Sequence, residues 1–235
     1  MADRRIWPGL VAALAALLAG CATPVPAPPQ AARPGPADFP DAYYQRLLGQ
    51  GAPTFRVDPD LSLVVIEVRR SGSLARFGHD HVVASRDATG YVAPDAGRAD
   101  LYVPLDTLVV DESDLRAAAG FDTQPSVADI EATRRNMLER VLETQQYPYA
   151  LIAVTGAVVS GTAQPLRVAI TLHGTTRVVD ATAQTETTAD EVAVAGTMAI
   201  DQSQFGIAPF SILGGAIAVQ DRLNIAFRIH ARRIK

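Results

Sequence analysis

The sequence predicts an all-β fold: an eight-stranded antiparallel barrel into which one amphipathic helix is inserted. From Thr54 onward, most segments alternate apolar and polar residues with a period of two, which is typical of half-buried strands. A single long segment has helical spacing, so the chain lacks the regular alternation of helix and strand that a parallel sheet requires. Eight sequential antiparallel strands can close on themselves, which removes exposed sheet edges.

The first 20 residues have the pattern of a lipoprotein signal peptide. Arg4 and Arg5 form a short basic region, and the nearly continuous apolar run over 8–18 is followed by small residues and then Cys21. We therefore expect cleavage before Cys21 and lipidation of that cysteine. The apolar run is shorter than the roughly 20 residues of a membrane-spanning helix. Ala22 stands where an aspartate favours inner-membrane retention in enterobacterial lipoproteins, so we expect a periplasmic domain anchored in the outer membrane.

Composition narrows the classes of partner. Cys21 is the only cysteine, so a disulfide in the mature domain, a thiol nucleophile and a cysteine-based zinc site are excluded once its sulfur carries lipid. Removal of residues 1–20 changes the net charge from −4 to −5. This mild negative charge argues against a nucleic-acid partner and against electrostatic docking on anionic lipid. The sequence has no cofactor motif and no signal of an oligomer.

The mature chain divides into two regions. Residues 21–52 hold the lipidated cysteine, a segment rich in proline and alanine over 22–36, and a short helix predicted over 39–48. The proline-rich segment favours extended polyproline geometry and is interpreted as a tether. Residues 53–235 form the predicted barrel domain.

The sequence predicts eight strands, and those that alternate clearly carry aliphatic side chains on one face and mostly polar side chains on the other. They span residues 62–70, 74–85, 99–106, 149–159, 165–173, 177–187, 191–200 and 222–233. The region 111–147 lies between the third and fourth predicted strands and interrupts the sheet. Ser126 and Asp129 form a weaker relative of a capping box at the start of a helix there. The apolar stripe of that helix is predicted to cover one end or flank of the sheet, and it comprises Val127, Ile130, Met137, Leu138, Val141 and Leu142.

Two of the four histidines, His79 and His81, lie two residues apart in the second predicted strand. On one strand face their Cβ atoms would be about 6.6 Å apart. Three roles are compatible with this spacing: a structural hydrogen-bonding pair, contact with a polar head group at the barrel mouth, or metal ligation. A metal site would need a third ligand such as His173 or His230, and both of these fall on the outward, polar alternation of their strands.

A hydrolase is not supported by the sequence, and we expect a protein that is not an enzyme. There is no Gly-x-Ser-x-Gly elbow and no spacing that places a base beside a nucleophile. Asp111, Glu112 and Asp114 form a charge cluster in a loop. We interpret this cluster as a solvated turn rather than as paired acid–base carboxylates.

Five short segments together resemble one known family. In chain order they are Phe55-Arg-Val-Asp58, Gly78-His-Asp-His81, Gln146-Tyr-Pro148, Thr171-Leu-His-Gly-Thr-Thr176 and Ile200-Asp-Gln-Ser-Gln-Phe-Gly-Ile207. On these segments, residues 54–233 resemble the YceI-like family of lipocalin-like barrels that bind lipids or polyisoprenoids, in particular the subgroup with a Gly-His-x-His segment. Gln202-Ser-Gln204 replaces the Arg-Ser-Asp of many members, so an ion pair at this place is absent.

The resemblance implies a carrier of an isoprenoid or other amphiphilic lipid, with His79 and His81 near a polar head group. A lumen lined with aliphatics suits such a chain, and burial of about fifteen carbons would gain on the order of 12 kcal/mol before association costs of several kcal/mol. A lumen packed solid is the alternative to a carrier, and a metal-dependent enzyme or redox accessory that uses the two histidines is the alternative function. The predicted lumen and loop contacts with the ligand are Val64, Ile66, Val68, Leu101, Val103, Leu105, Leu166, Val168, Ile170, Phe205, Phe210, Ile225 and Phe227.

Overall fold

The structure, a computed structural model, describes residues 34–156 and 160–235. The predicted signal peptide, the lipidation site Cys21 and the tether up to residue 33 lie outside the described residues. The last three residues of the predicted strand 149–159 lie outside them as well.

The described residues form strands that are mostly joined by short turns, together with three helices. The strands are β1 (Phe55–Val57), β2 (Leu63–Val68), β3 (Arg70–Ser71), β4 (His81–Ser85), β5 (Thr89–Ala93), β6 (Arg98–Pro104), β7 (Val109–Val110), β8 (Tyr149–Thr155), β9 (Gln164–Leu172), β10 (Thr175–Thr187), β11 (Glu191–Asp201), β12 (Ser211–Ile212), β13 (Ile217–Val219) and β14 (Arg222–Arg233). The helices are α1 (Asp41–Gly49), α2 (Ser113–Ala118) and α3 (Val127–Asn136).

The strands close into an antiparallel barrel of eight strands, and the long strand β14 is its seam. One edge of β14 pairs along its whole length with β11. Its other edge pairs with β2 at Asn224–Arg228 and with β1 at Arg233–Ala231, so β1 and β2 form one interrupted path. The pairs β4/β5 and β6/β7 are interrupted in the same way. The all-β barrel predicted from the sequence is confirmed, and each predicted strand corresponds to one path around it.

The periodicity did not predict β5, which continues the path of β4 after an interruption. Strand β5 contains Gly90, whose φ is +151° and whose missing side chain lets the backbone of β6 approach closely. A Cβ there would lie 2.2 Å from the carbonyl oxygen of Asp100. Such a glycine resembles a turn in the sequence, although here it permits close contact of two strands. A small separate sheet, β12-β13-β3, forms within and beside the predicted apolar loop over 202–220.

Helix α3 lies where the sequence places it, and it begins with the predicted cap. The side chains of Ser126 and Asp129 form a reciprocal capping box. Beyond Asn136 the helix continues as one π-helical turn over Met137–Val141, in which the Leu142 N–H donates to the Met137 carbonyl at 2.8 Å. This wider turn directs Met137 and Leu142 towards the barrel core. Val127 departs from the predicted stripe, since its side chain is 73% exposed.

Helix α1 packs on the outer surface of β5. Tyr44 is fully buried there, and its ring stacks on Tyr91 with the centroids 4.7 Å apart. The Tyr44 hydroxyl donates to Asp100 at 2.6 Å, and Arg98 binds the same carboxylate. The short helix predicted over 39–48 is therefore present and joined to the barrel. Within the described ranges, no helix has both the length and the apolar character needed to cross a membrane.

Candidate functional site

The barrel encloses a cavity of about 580 Å³ that is lined mostly by apolar side chains. This volume lies within the range of roughly 300–1,000 Å³ that is usual for small-ligand sites. Polar side chains are concentrated towards its two ends. The end at which β4 begins, here called the histidine end, has Arg70, His79, His81, Asp129, Thr133 and Asn136 in its lining. The opposite end, at the hairpin between β10 and β11, is called the far end and has Thr185 and Thr187. The remaining polar residues of the lining are Ser85, Arg98 and Gln202.

The structure brings most of the predicted ligand contacts together around this cavity. Twelve of the thirteen line it, namely Val64, Ile66, Val68, Leu101, Val103, Leu105, Leu166, Val168, Ile170, Phe210, Ile225 and Phe227. Leu105 belongs to a short 3-10 turn after β6 rather than to the strand itself. Phe205 is placed differently: it is fully buried in a packed cluster with Ile200 and Ile207.

The two histidines are both at the cavity, but they do not share a strand. A 3-10 turn over Ala75–Phe77 replaces the first part of the predicted strand 74–85, and β4 begins only at His81. His79 therefore lies in the loop before the strand. The two imidazole rings are 6.1 Å apart between centroids and are inclined at 69°. The prediction of one strand face for both was wrong, because the turn rather than the strand pleat sets their separation.

Asp111 holds His81 in position. Its carboxylate Oδ2 lies 2.6 Å from His81 Nδ1, while Oδ1 accepts from the Val82 N–H at 3.0 Å and from Arg116 Nη1 at 2.6 Å. The Asp111 side chain is fully buried. The sequence interpretation of Asp111 as part of a solvated turn was wrong: its φ of +59° turns the chain after β7 and directs the carboxylate inward. Asp114 is exposed, and Glu112 pairs with Arg86 at the surface.

The carboxylate of Asp111 remains ionised despite its burial. Burial alone would raise its pKa, but the hydrogen bonds from His81, the Val82 N–H and Arg116 outweigh that effect and hold the pKa below its usual value. The pKa of Asp129 is lowered too, chiefly by hydrogen bonds from Ser126, with a smaller contribution from His79 and His81. Two negative charges therefore lie close to the imidazoles.

A second set of ion pairs fixes the segment between the histidines. The Asp80 Oδ1 accepts from the Arg70 backbone N–H at 2.8 Å. The Arg70 guanidinium binds Asp122 at 3.1 Å and the Gly78 carbonyl at 3.2 Å. The Arg116 guanidinium also donates to the Asp80 carbonyl at 2.6 Å. These contacts neutralise both arginines, so neither presents an unpaired positive charge to the cavity.

The other two histidines are not near this pair. His173 has a φ of +51° in the hairpin between β9 and β10, where its Nε2 contacts Glu143 at 2.9 Å. His230 lies opposite Ala193 in the register of β14 and β11. Within residues 34–156 and 160–235, no group of three or more histidine, cysteine, aspartate or glutamate side chains is arranged to hold a metal ion.

Sequence reasoning missed Asp111 and Arg116 as parts of this site. Both lie about thirty residues or more beyond the histidines, and they reach His81 because β7 pairs with β4. The pairing of two-residue strands leaves no periodic signal. One local signal was present, since aspartate is among the few residues that tolerate positive φ and can end a strand by a sharp turn.

Comparison with known proteins identifies similar chains. The model of a family described as the YceI-like domain matches residues 55–231. A polyisoprenoid binding domain from Saccharophagus degradans, implicated in plant cell wall breakdown, superposes with a TM-score of 0.55 at 13% identity and covers 77% of this chain and 98% of its own. Burkholderia cenocepacia BcnA superposes with a TM-score of 0.51 at 14% identity and covers 74% of this chain and 98% of its own. No curated protein sequence matches significantly.

Proposed function

This chain belongs to the YceI-like domain family, and on that premise we propose that it binds or carries an isoprenoid or other amphiphilic lipid in the barrel lumen. The observation that carries the proposal is the apolar cavity of about 580 Å³ with its polar groups concentrated at the ends. The Saccharophagus degradans domain, which has a similar fold, is described as polyisoprenoid binding and supports the proposal.

The energetics favour a chain-like ligand. Each buried CH2 group contributes about 0.8 kcal/mol, so about fifteen carbons contribute on the order of 12 kcal/mol. Association costs of at least about 4 kcal/mol reduce this value. At this minimum cost the net value is about −8 kcal/mol, which corresponds to micromolar affinity without any polar contact. Burial alone does not orient the ligand, and orientation requires the polar groups of the histidine end.

His81 is the residue that we propose contacts the head group. The Asp111 carboxylate accepts a hydrogen bond from Nδ1, which leaves Nε2 as the ring nitrogen that is open to a hydrogen bond with the ligand. No described residue is hydrogen-bonded to that nitrogen. Asp129 adds negative charge nearby, while Arg70 and Arg116 are already paired. This environment favours an uncharged head group that forms a hydrogen bond, such as a hydroxyl, over an anionic one.

The test is binding of farnesol to the purified protein, measured by calorimetry, with a variant that fills the lumen. Val168 is buried and lines the cavity, so Val168→Trp should abolish binding or weaken it at least tenfold. Val178, on the next strand, is 54% exposed on the outer surface, so Val178→Trp is the matched control and should bind like the wild type. Equal binding by both variants would place the ligand outside the lumen and refute the proposal.

The same preparation distinguishes the alternative function. A metal-dependent enzyme or redox accessory would contain a stoichiometric metal by elemental analysis, and this metal would be lost in the variant His79→Ala/His81→Ala. A co-purifying lipid in native mass spectra, without a metal, would support the carrier. The observed pair lacks a third ligand among the described residues, which favours the carrier.

We propose further that the protein is attached to the periplasmic side of the outer membrane through lipidated Cys21. The support is the signal-peptide pattern before Cys21 and the proline-rich segment after it. Membrane fractionation of wild type and Cys21→Ala, with labelled palmitate as the tracer, tests the anchor. Release of the variant into the soluble fraction without label is expected. Retention of the label in the variant would contradict the proposal.

A further inference from the structure

Thr185 carries an unsatisfied hydroxyl in the apolar lumen. Its side chain lines the cavity at the far end, and the residue is 4% exposed. Among the described residues, Thr185 Oγ1 is the one buried side-chain oxygen or nitrogen without a hydrogen-bond partner. Buried hydroxyls are nearly always paired, because leaving one unpaired destabilises the fold. An unpaired hydroxyl that lines a ligand cavity is therefore available to a hydrogen-bonding group of the ligand.

The local structure explains why the protein supplies no partner. Along β10, Ala181, Ala183 and Thr185 are buried, while the intervening residues are exposed, so Thr185 points inward. Strand β9 begins at Gln164, opposite Ala183, and does not extend to Thr185. The Thr185 carbonyl is satisfied by the Gly161 N–H at 2.8 Å. The backbone is thus paired, and only the side-chain hydroxyl remains.

The cross-strand neighbour of Thr185 inside the barrel is apolar. Its cross-strand partner on β11 is Val194, which lines the cavity together with Val192 and Val154. Valine side chains neither donate nor accept hydrogen bonds. Thr187 is another polar residue of the lining at this end. Ser85 and Arg98 also belong to the lining, but Ser85 Oγ already accepts from the Asp87 N–H and Arg98 already binds Asp100.

Strand register places Thr185 far from the head-group site. Thr185 lies opposite Val194, and Val194 lies opposite Ile229 of β14. Ile225, four residues earlier on β14, lies opposite Ile66 of β2. Two residues further, Val68 lies opposite His81. Thr185 and His81 are therefore six residues apart along the strand direction, which corresponds to about 20 Å.

We infer that the lumen has a second polar subsite at Thr185, which recognises a hydrogen-bonding group, such as a hydroxyl, at the tail end of a long-chain amphiphile. The inference rests on the proposed function, because the head group is assigned to the histidine end. The proposed ligand is then a chain that has a polar group at each end rather than at one end. A purely hydrocarbon tail leaves the Thr185 hydroxyl unpaired and is the poorer ligand.

The test compares two probes, hexadecanol and the α,ω-diol of the same length, by calorimetric titration of the purified protein. The measured quantity is the ratio of their dissociation constants. Thr185→Val removes the hydroxyl at nearly constant shape and should shift the ratio about tenfold towards the plain alcohol. Thr185→Ser keeps a hydroxyl and should retain the wild-type ratio. Thr182→Val, on the exposed face of the same strand, is the matched control.

A ratio that is the same in wild type and Thr185→Val overturns the subsite while leaving the lipid carrier in place. If neither probe binds the wild type, the proposed function falls, and the subsite falls with it. The melting temperature of the ligand-free protein gives a second measurement. Removal of an unpaired hydroxyl should raise it by about 3 °C in Thr185→Val. A fall would show that the hydroxyl is bonded within the protein, which also overturns the inference.

Discussion

Replacement of Asp111 by asparagine tests whether the buried carboxylate stabilises the histidine end. Asparagine has nearly the same shape and tolerates the φ of +59° at this position, so the backbone need not move. The change removes one negative charge that lies 2.6 Å from Arg116 Nη1, in a place where the Asp111 side chain is fully buried. Breaking a buried ion pair on one side costs about 3–5 kcal/mol.

The expected magnitude lies at the lower end of that range. The asparagine Oδ1 still accepts from the Val82 N–H and from Arg116, so the loss comes from the uncompensated guanidinium charge. We therefore expect Asp111→Asn to lower the free energy of unfolding by about 3 kcal/mol at pH 7. For a domain of this size, the melting temperature should fall by about 6–12 °C. Urea unfolding monitored by circular dichroism measures the change.

The pH dependence identifies the carboxylate as the cause. The pKa of Asp111 is lowered in the folded state, so its contribution is complete above about pH 3.9, the value in an unfolded chain. The contribution is lost as the pH falls through the lower pKa of the folded protein. The difference in stability between wild type and Asp111→Asn should therefore be largest near pH 7 and should shrink below about pH 4.

The control for this measurement is Asp114→Asn, three residues further along the chain. Asp114 is exposed in the first turn of α2, so its replacement should change stability by no more than about 1 kcal/mol. If Asp111→Asn were as stable as Asp114→Asn at pH 7, the ion pair with Arg116 would contribute nothing. If the difference between Asp111→Asn and wild type persisted unchanged at pH 3, the charge would not be its origin. Either result would refute the reasoning.

Three further predictions concern the head group, helix α1 and the barrel wall. His81→Ala should weaken binding of farnesol about tenfold in calorimetry while leaving binding of the hydrocarbon farnesene unchanged, since only the hydrogen bond to the hydroxyl is lost. Burial, followed by the hydrogen bond to Asp100, raises the pKa of Tyr44 well above its usual value, so stability present below about pH 10 should be lost as the pH rises beyond it. Tyr44→Phe should lower the free energy of unfolding by about 1.5–3 kcal/mol at pH 7 and flatten this alkaline loss in urea titrations. Gly196→Ala should destabilise the barrel by about 1–3 kcal/mol in the same assay, because the added Cβ would lie 2.8 Å from Cζ of Phe227.

The residues that line the lumen were largely predictable because several strands of the barrel alternate regularly between apolar and polar residues. On β2, β9 and β14 every second residue is a large aliphatic or aromatic side chain, so the period of two identifies the inward face before any pairing is known. Strand β10 lacks this alternation of large apolar side chains. Its inward positions include Ala181, Ala183 and Thr185, which are small or polar, and its sequence shows no apolar face. The second polar subsite was therefore not predictable from the sequence.

The histidine end was predictable only in part. The motif itself indicated that His79 and His81 lie near each other, and both line the cavity. Their separation depends on a 3-10 turn, and the partner of His81 depends on a pairing between two-residue segments of β4 and β7. Short pairings and irregular turns are set by tertiary contacts that local propensity does not contain. A charge cluster such as that of Asp111 is therefore ambiguous until the fold is known.

The arrangement of polar groups limits what the barrel can select. In an aliphatic lumen each buried CH2 group contributes about the same free energy of binding. Such a lumen favours long chains but fixes neither their direction nor their register. Selection must then come from the few polar atoms at the ends, where an unpaired partner is costly. At the histidine end, Asp111 both stabilises the fold and sets the proton of His81, so loss of stability and loss of head-group preference should occur together in Asp111→Asn. At the far end, Thr185 has no such partner, so its removal should change ligand preference while the fold becomes more stable.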